Sequence, residues 1–280
     1  MTISNDVADA QAALWNGPAG HAWVDGQVLL DRLYLPFQER LLEAVIAAAP
    51  QSVLDVGCGT GSTTLAIARA LGSGADVTGV DISAPMIDAA TTRAAKEGAA
   101  ARFICADAQA HGFEPASVDM IVSRFGVMFF ADPAGAFANL RRAARPGARL
   151  SCIAWRSVAE NPFMTEAERA AAPLLPDLPP RRPDLPGQFA FADRERVQGI
   201  LATAGWHDVD IQPLDVTCRM SEADLLAYVG RLGPVGIALR DADADTRARV
   251  MTAVRTAFDP YVRDGECRFT AACWLITARA

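Results

Sequence analysis

The nine residues Val53-Leu54-Asp55-Val56-Gly57-Cys58-Gly59-Thr60-Gly61 constrain this chain more than any other segment. A short apolar strand, Ser52–Val56, runs into three glycines spaced two apart, and a helix over Ser62–Leu71 is expected to follow at once. Glycine has no Cβ, so such a turn can bend sharply and bring the backbone close to a ligand. At the carboxyl end of a first parallel strand, this is where open α/β sheets hold nucleotide-like cofactors. The spacing argues against two of them. A dinucleotide fingerprint counted from Gly57 needs a third glycine where Ser62 stands, and a phosphate loop needs a Gly-Lys pair, whereas Lys96 is the only lysine of the chain.

Asp55 narrows the choice. A carboxylate two residues before the first glycine repels a pyrophosphate and attracts a cation, by roughly a few kcal/mol at contact distances and intermediate dielectric. S-adenosylmethionine carries a sulfonium and an ammonium group and no phosphate, so it suits that charge. Two further acids follow at strand ends. Asp76–Val80 reads as a strand ending at Asp81, with Ser83 as a helix N-cap and Pro85 in the first turn beyond it. Ala101–Cys105 reads as a third strand, ending in Ala106-Asp107-Ala108. A carboxylate at the second strand end suits ribose hydroxyls, and one at the third suits an adenine amino group. NAD enzymes also place an acid near the second position, so Asp81 alone does not discriminate.

On these residues the sequence resembles the class I S-adenosylmethionine-dependent methyltransferases, and within them the small-molecule enzymes related to the ubiquinone/menaquinone-biosynthesis C-methyltransferases. The resemblance runs through VLDVGCGTG at 53–61, GVDIS at 79–83, ADAQ at 106–109, DMIVSRFGVMFF at 119–130 and LRRAARPGARL at 140–150. It implies a loop of Gly57, Cys58, Gly59, Thr60 and Gly61 under the methionine part, with Asp55 near the ammonium. It further implies Asp81 on the ribose, Ile82 and Met86 against the adenine, and Asp107, Ala108 and Gln109 on its polar edge. Ser123 and Arg124, at the end of the fourth strand, would lie beneath the methionine and close to the transferred methyl. The implied fold is a doubly wound α/β architecture: a mostly parallel seven-stranded sheet whose last strand runs antiparallel between strands five and six, with helical lid elements.

Composition agrees. The chain has 280 residues, 51% of them apolar, which suits one large core carrying a lid. A net charge of −7 offers no basic footprint for nucleic acid. The strand-four end SRFGVMFF also lacks the Asn/Asp-Pro-Pro-aromatic pattern that resembles DNA amino-methylating enzymes. The six cysteines and three histidines show no metal-ligand spacing, so no metal is expected. The first fifteen residues lack a basic start and apolar run, and no apolar stretch reaches membrane-spanning length. A cytoplasmic enzyme without a membrane span is the expectation. No motif specifies an oligomeric state.

The chain reads as one domain. Residues 1–50 form an N-terminal helical lid, with helices over Ala8–Trp15, Gly20–Leu33 and Pro36–Ala49. The cofactor core spans 51–156, with a helix Pro133–Ala144 stopped by Pro146-Gly147 and a fifth strand Arg149–Trp155. Residues 157–196 form a proline-rich insertion, where Pro162, Pro173, Pro176, Pro179, Pro180, Pro183 and Pro186 predict irregular backbone in place of a long helix. The rest of the sheet falls in 197–220 and 263–280, as a helix Arg194–Ala204 and strands near Val209–Val216 and Cys267–Ala278. A helical cap fills 221–262, as Glu222–Arg231 and Asp245–Tyr261 split by Gly233-Pro234.

The decorations are expected to choose the acceptor. Trp15, Trp23, Phe125, Met128 and Phe129 suggest a mostly apolar pocket for a small, flat or lipophilic molecule. In-line displacement at an activated methyl needs mainly alignment, worth up to roughly 7–11 kcal/mol. A general base is required only for a poorly ionised acceptor, and His21, in the lid between Gly20 and Trp23, is the candidate. Two other classes stay open: a same-fold enzyme running a different reaction, and a non-catalytic S-adenosylmethionine-binding protein. An NAD-dependent oxidoreductase is disfavoured by Ser62 and Asp55.

Overall fold

In the computed structural model, which describes residues 2–178 and 185–280, two parallel βα units follow one another from residue 52, and a third strand then leads to a fourth without a helix between them. Four helices precede them: α1 (Thr2–Asn16), α2 (Pro18–Asp25), α3 (Gln27–Leu33) and α4 (Leu35–Ala48). Gly26 separates α2 from α3, so the single helix expected over Gly20–Leu33 is two. The core follows as β1 (Ser52–Val56), α5 (Ser62–Leu71), β2 (Asp76–Asp81), α6 (Ala84–Glu97), β3 (Ala101–Cys105), β4 (Val118–Arg124), α7 (Pro133–Ala143) and β5 (Ala144–Trp155). The remainder is α8 (Phe163–Ala171), α9 (Arg194–Thr203), β6 (His207–Ser221), α10 (Glu222–Arg231), α11 (Gly233–Ala238), α12 (Ala244–Ala257), the two-residue β7 (Val262–Arg263) and β8 (Glu266–Arg279).

The strands lie in the order β3-β2-β1-β4-β5-β8-β6, with β7 paired to β8. Neighbours from β3 to β5 are parallel, whereas β8 runs antiparallel to both β5 and β6. This is the expected sheet, with a short eighth strand added. Alternation along the strands feeds both faces, as a sheet covered on two sides requires. Val53, Met120 and Val122 pack with Val45 and Ile67 on one face, while Leu54, Val56 and Ile121 join Phe37, Phe137 and Leu140 on the other.

Several boundaries moved for identifiable reasons. β5 starts at Ala144, before Pro146-Gly147, because a register shift against β4 absorbs those residues as an irregularity. Strands β6 and β8 exceed their expected lengths because they pair with each other from His207↔Arg279 to Ser221↔Glu266, a support invisible in either segment alone. Pro260 ends α12 early, and the turn Asp259–Tyr261 replaces its last residues. The insertion holds α8 between Pro162 and Pro173; Pro179, Pro180 and Pro183 lie outside the described residues. Ser83 does not cap α6 with its own side chain. Its hydroxyl donates to the Trp15 carbonyl (2.6 Å), and Asn16 Oδ1 accepts from the Ala84 amide instead (2.8 Å). The first helix thus caps the sixth from outside.

Two polar anchors hold this arrangement. Asn161, fully buried, donates to the carbonyls of Ala272 (2.9 Å) and Ser157 (3.1 Å) and accepts from the Ala272 amide (2.9 Å). It staples the start of the insertion to the middle of β8. Asn161→Ala leaves buried backbone groups unpaired and is expected to lower unfolding free energy by about 2–4 kcal/mol in urea titration. The second anchor is Asp55, 1% exposed, which accepts a hydrogen bond from Thr64 of α5 (2.6 Å). Burial pushes its carboxyl up to about 6 from 3.8, with the Thr64 bond and Arg124 opposing. The folded protein therefore keeps this proton to higher pH than the unfolded chain does. Stability from this group falls as pH rises from about 4 to about 6 and is level beyond, by on the order of 3 kcal/mol. Asp55→Asn should consequently gain on the wild type across that window in pH-dependent denaturation, and an equal difference at pH 4 and pH 7 would contradict this.

Candidate active site

The carboxyl ends of the parallel strands open into a cavity of about 1360 Å³. Its floor is Val56, Gly57 and Gly59 at the end of β1, Asp81 and Ile82 at the end of β2, Ala106 to Gln109 after β3, Arg124, Phe125, Gly126 and Met128 at the end of β4, and Trp155 closing β5. Its roof comes from the N-terminal helices (Trp15, Trp23), the insertion (Leu175, Phe189) and the cap (Tyr228, Ile237). Pockets for one small ligand measure about 300–1,000 Å³, so this one has room for two.

The glycine loop owes its path to backbone contacts that no side chain would permit. Gly57 and Gly59 have φ of +67° and +55°. A Cβ on Gly57 would lie 2.5 Å from Gly126 Cα, and one on Gly126 would lie 2.6 Å from the Val56 carbonyl. The turns after β1 and β4 therefore touch through two glycines. Gly126 is part of the site and was missed in the sequence, although a glycine beside two bulky residues in a strand-end turn is its signal. Ser123, fully buried, reinforces the contact: its hydroxyl donates to the Val56 carbonyl (2.7 Å) and accepts from the Gly126 amide (3.2 Å). It braces the loop from below and does not line the cavity.

Asp81 joins loop to strand. One carboxylate oxygen accepts from the Gly59 amide (2.8 Å) and the other from the Ser83 amide (2.9 Å). A carboxylate has about four lone-pair directions, so two backbone donors leave acceptor capacity toward the cavity. Burial raises its pKa while the amide bonds lower it. Asp107 is half-buried at the opposite wall and accepts from the Gln109 amide (2.9 Å). Buried Asn139 of α7 fixes that turn by donating to the carbonyls of Ala108 and His111, both at 2.9 Å. Gln109 Oε1 in turn accepts from the Asp132 amide (2.7 Å). Ile82 and Met86 supply apolar surface between the two acids.

These features fit an adenosyl cofactor with no phosphate: bare glycine backbone, two carboxylates with spare acceptor capacity and an apolar wall between them. Gly57, Gly59, Asp81, Ile82, Met86, Asp107, Ala108 and Gln109 line the cavity together. Asp55, Cys58, Thr60, Gly61 and Ser123 stand behind that surface. The Cys58 thiol sits where a Cβ on Gly79 would be 2.8 Å away, and burial pushes its pKa well up. Gly61, at φ +83°, packs on Phe103 and Ala90. The Thr60 carbonyl accepts from Arg93 (3.0 Å). These residues shape the loop rather than face a ligand.

All five pocket candidates, Trp15, Trp23, Phe125, Met128 and Phe129, line the cavity. Trp15 meets Phe129 edge-on at 5.1 Å, and Phe125 stacks on Trp155 at 4.5 Å with planes 7° apart. Phe125 has φ +65°, a conformation bulky residues rarely adopt, held by that stack and by its amide bond to the Ile153 carbonyl (3.0 Å). His21 is not brought to the site. It is exposed, its Nδ1 lies 2.9 Å from the Gly17 carbonyl of its own helix, and it does not line the cavity. Among the described residues no histidine lines the cavity, no acid or thiol cluster is placed to hold a metal, and no helix is long and apolar enough to cross a membrane.

Residues 53–147 match the family model described as a methyltransferase domain. The demethylmenaquinone methyltransferase of Renibacterium salmoninarum is 27% identical over 215 residues, covering 74% of this chain and 88% of that one. Nocamycin O-methyltransferase of Saccharothrix syringae is 27% identical over 202 residues, covering 69% and 72%. Among solved structures, the YcgJ protein of Bacillus subtilis superposes with a TM-score of 0.56 at 18% identity, covering 86% of this chain and 98% of that one, a likeness of fold. This domain match, the strand order and the glycine loop together support a class I S-adenosylmethionine-dependent methyltransferase.

Proposed function

We propose that the protein methylates a small, largely apolar or aromatic acceptor, which binds in the roofed half of the cavity beside the methyl donor. One observation carries the reading: the five aromatic and sulfur-bearing pocket residues share a single cavity with the loop and acids expected to hold the cofactor. The names of the matched relatives, a demethylmenaquinone methyltransferase and a nocamycin O-methyltransferase, favour the same kind of acceptor.

In this reading Gly57 and Gly59 present backbone under the methionine part, Asp81 accepts from ribose hydroxyls, and Asp107 and Gln109 meet the polar edge of the adenine beside Ile82 and Met86. S-adenosylmethionine supplies a methyl on a sulfonium centre that departs as a neutral thioether. The protein's share is to align the acceptor and to exclude water. Trp15, Trp23 and Phe129 close the cavity from the N-terminal side, and the insertion closes it opposite, where the Gly187 amide donates to the Met128 carbonyl (3.1 Å). Alignment of this kind is worth up to roughly 7–11 kcal/mol of barrier. No base is assigned, since His21 faces away.

Incubation with S-adenosylmethionine and a panel of phenols, quinols, amines and carboxylic acids is expected to yield products heavier by one methyl, with turnover confined to acceptors of low charge and planar or lipophilic shape. Turnover of highly charged acceptors alone would reject the pocket assignment, and product of unchanged mass would reject methyl transfer. Asp81→Asn keeps the volume but weakens charge-assisted bonds worth about 1.5–3 kcal/mol. Its affinity for S-adenosylhomocysteine in calorimetry should fall by about one to two orders of magnitude, while His21→Ala should leave kcat unchanged.

A further inference from the structure

Among the described residues, the cavity contains one half-buried cation with no carboxylate within ion-pair distance. Asp81, Asp107, Arg124, Asp177, Arg231 and Asp241 are the charged residues among its described lining. Asp177, Arg231 and Asp241 are exposed at the rim, and Asp81 and Asp107 stand at the nucleoside wall with backbone donors on them. Arg124 is half-buried at the end of β4. Among the described residues no carboxylate comes within ion-pair distance of it; Asp31 and Asp55 act on it only from farther away, and Asp31 is itself paired with Arg93 at 3.0 Å. Its contacts are a 3.3 Å bond from Nη1 to the Tyr34 carbonyl and a guanidinium carbon 5.9 Å from the Tyr34 ring centroid. A guanidinium carries five donors, so most of them are unspent. Charge in an apolar pocket is costly unless it is paired.

The surroundings of Tyr34 say which half of the cavity this cation serves. The ring neighbours Trp23, Phe125 and Trp155, and its hydroxyl shares a hydrogen bond with Tyr228 of the cap. None of these belongs to the nucleoside wall of Ile82, Met86 and Asp107. A second fact converges. Among the described residues no histidine lines the cavity, its buried acids serve the nucleoside side, and Tyr34 and Tyr228 are phenols, with Tyr34 held protonated by burial. An acceptor that must lose a proton on the enzyme finds no base among the described residues there, whereas one that arrives ionised needs none.

We propose that Arg124 recognises an ionised oxygen on the acceptor, so that the substrate is an aromatic or polycyclic acid: a carboxylic acid, acidic phenol or enol. This rests on the methyl-transfer reading above. The step balances without a proton: an oxyanion lone pair forms the bond to the methyl carbon as the carbon–sulfur bond breaks toward sulfur. The products are a neutral ester or ether and a neutral thioether. The guanidinium holds the anion and releases the product, whose charge is gone. The carboxylate of the cofactor's methionine part is the other source of the same chemistry, and the test separates the two.

The probes are 2-naphthoate and its neutral isostere 2-naphthamide, titrated into protein saturated with S-adenosylhomocysteine, with quenching of the cavity tryptophans as readout. The wild type is expected to bind naphthoate at least about tenfold more tightly, as a charge-assisted bond in a dry site requires. Arg124→Gln should abolish that preference, Arg124→Lys should keep part of it, and Arg231→Gln should retain it. S-adenosylhomocysteine affinity should be unchanged in Arg124→Gln, which also reports that the variant is folded. Equal binding of the two naphthalenes by the wild type, or loss of preference in Arg231→Gln in place of Arg124→Gln, would overturn the assignment. So would an Arg124→Gln variant that loses affinity for S-adenosylhomocysteine but not for 5′-methylthioadenosine, which lacks the carboxylate. No binding of S-adenosylhomocysteine at all would overturn the methyl-transfer reading along with it.

Discussion

The site depends on two glycines touching. Gly57 and Gly126 approach so closely that a Cβ on either would fall within about 2.7 Å of the other's backbone, so the turns after β1 and β4 form one floor instead of two separate loops. Everything that faces the cavity is referenced to that contact. Ser123 bonds across it, Asp81 ties its outer edge to β2 through the Gly59 amide, and Arg124 and Phe125 emerge directly beside it. Phe125 carries the conformational cost, with positive φ in a bulky residue, offset by its stack on Trp155. A strained aromatic beside an apposed glycine pair puts ring surface on the floor of the cavity.

Around that floor the protein divides labour by element. Strand ends furnish the floor with bare backbone and acids. The roof is assembled from three separate stretches, the N-terminal helices, the insertion and the cap, each linked to the core by a few polar bonds. Asn16 capping α6, Asn161 bridging to β8 and the Gly187–Met128 backbone bond are such links. The first of them couples the lid to the very turn that follows Asp81, so the segment covering the cavity and the segment carrying Asp81 share a hydrogen-bond network. Arg124 stands where the two halves meet, and its unspent donors make the acceptor's charge a question the cavity itself poses.

Much of this was legible in the sequence because its signals are local. Strand–glycine–helix punctuation placed β1 and α5 to the residue, and the three acids at successive strand ends were found in the right order. The five residues singled out for a pocket from their apolar character all line the one cavity. What failed was pairwise. Asp55 and Ser123 were expected at the ligand surface, but each is spent inside, on Thr64 and on Val56. His21 lay near the site in sequence, yet helix geometry turns it outward to Gly17. Strands β6 and β8 outran their apolar pattern because each borrows length from the other.

The sequence by itself determined the nucleotide-type turn and the order of the core, since a turn that only glycine can make and acids at successive strand ends are properties of a few adjacent residues. Tertiary structure decided which polar groups remain available. Whether a carboxylate, hydroxyl or guanidinium faces a ligand or is consumed by a neighbour depends on partners tens of residues away, as with Asp55 and Thr64, Ser83 and Trp15, or Arg124 and its lack of a carboxylate among the described residues. Hydrogen bonds are short-ranged and directional, so only the folded arrangement decides which donors are left for a substrate.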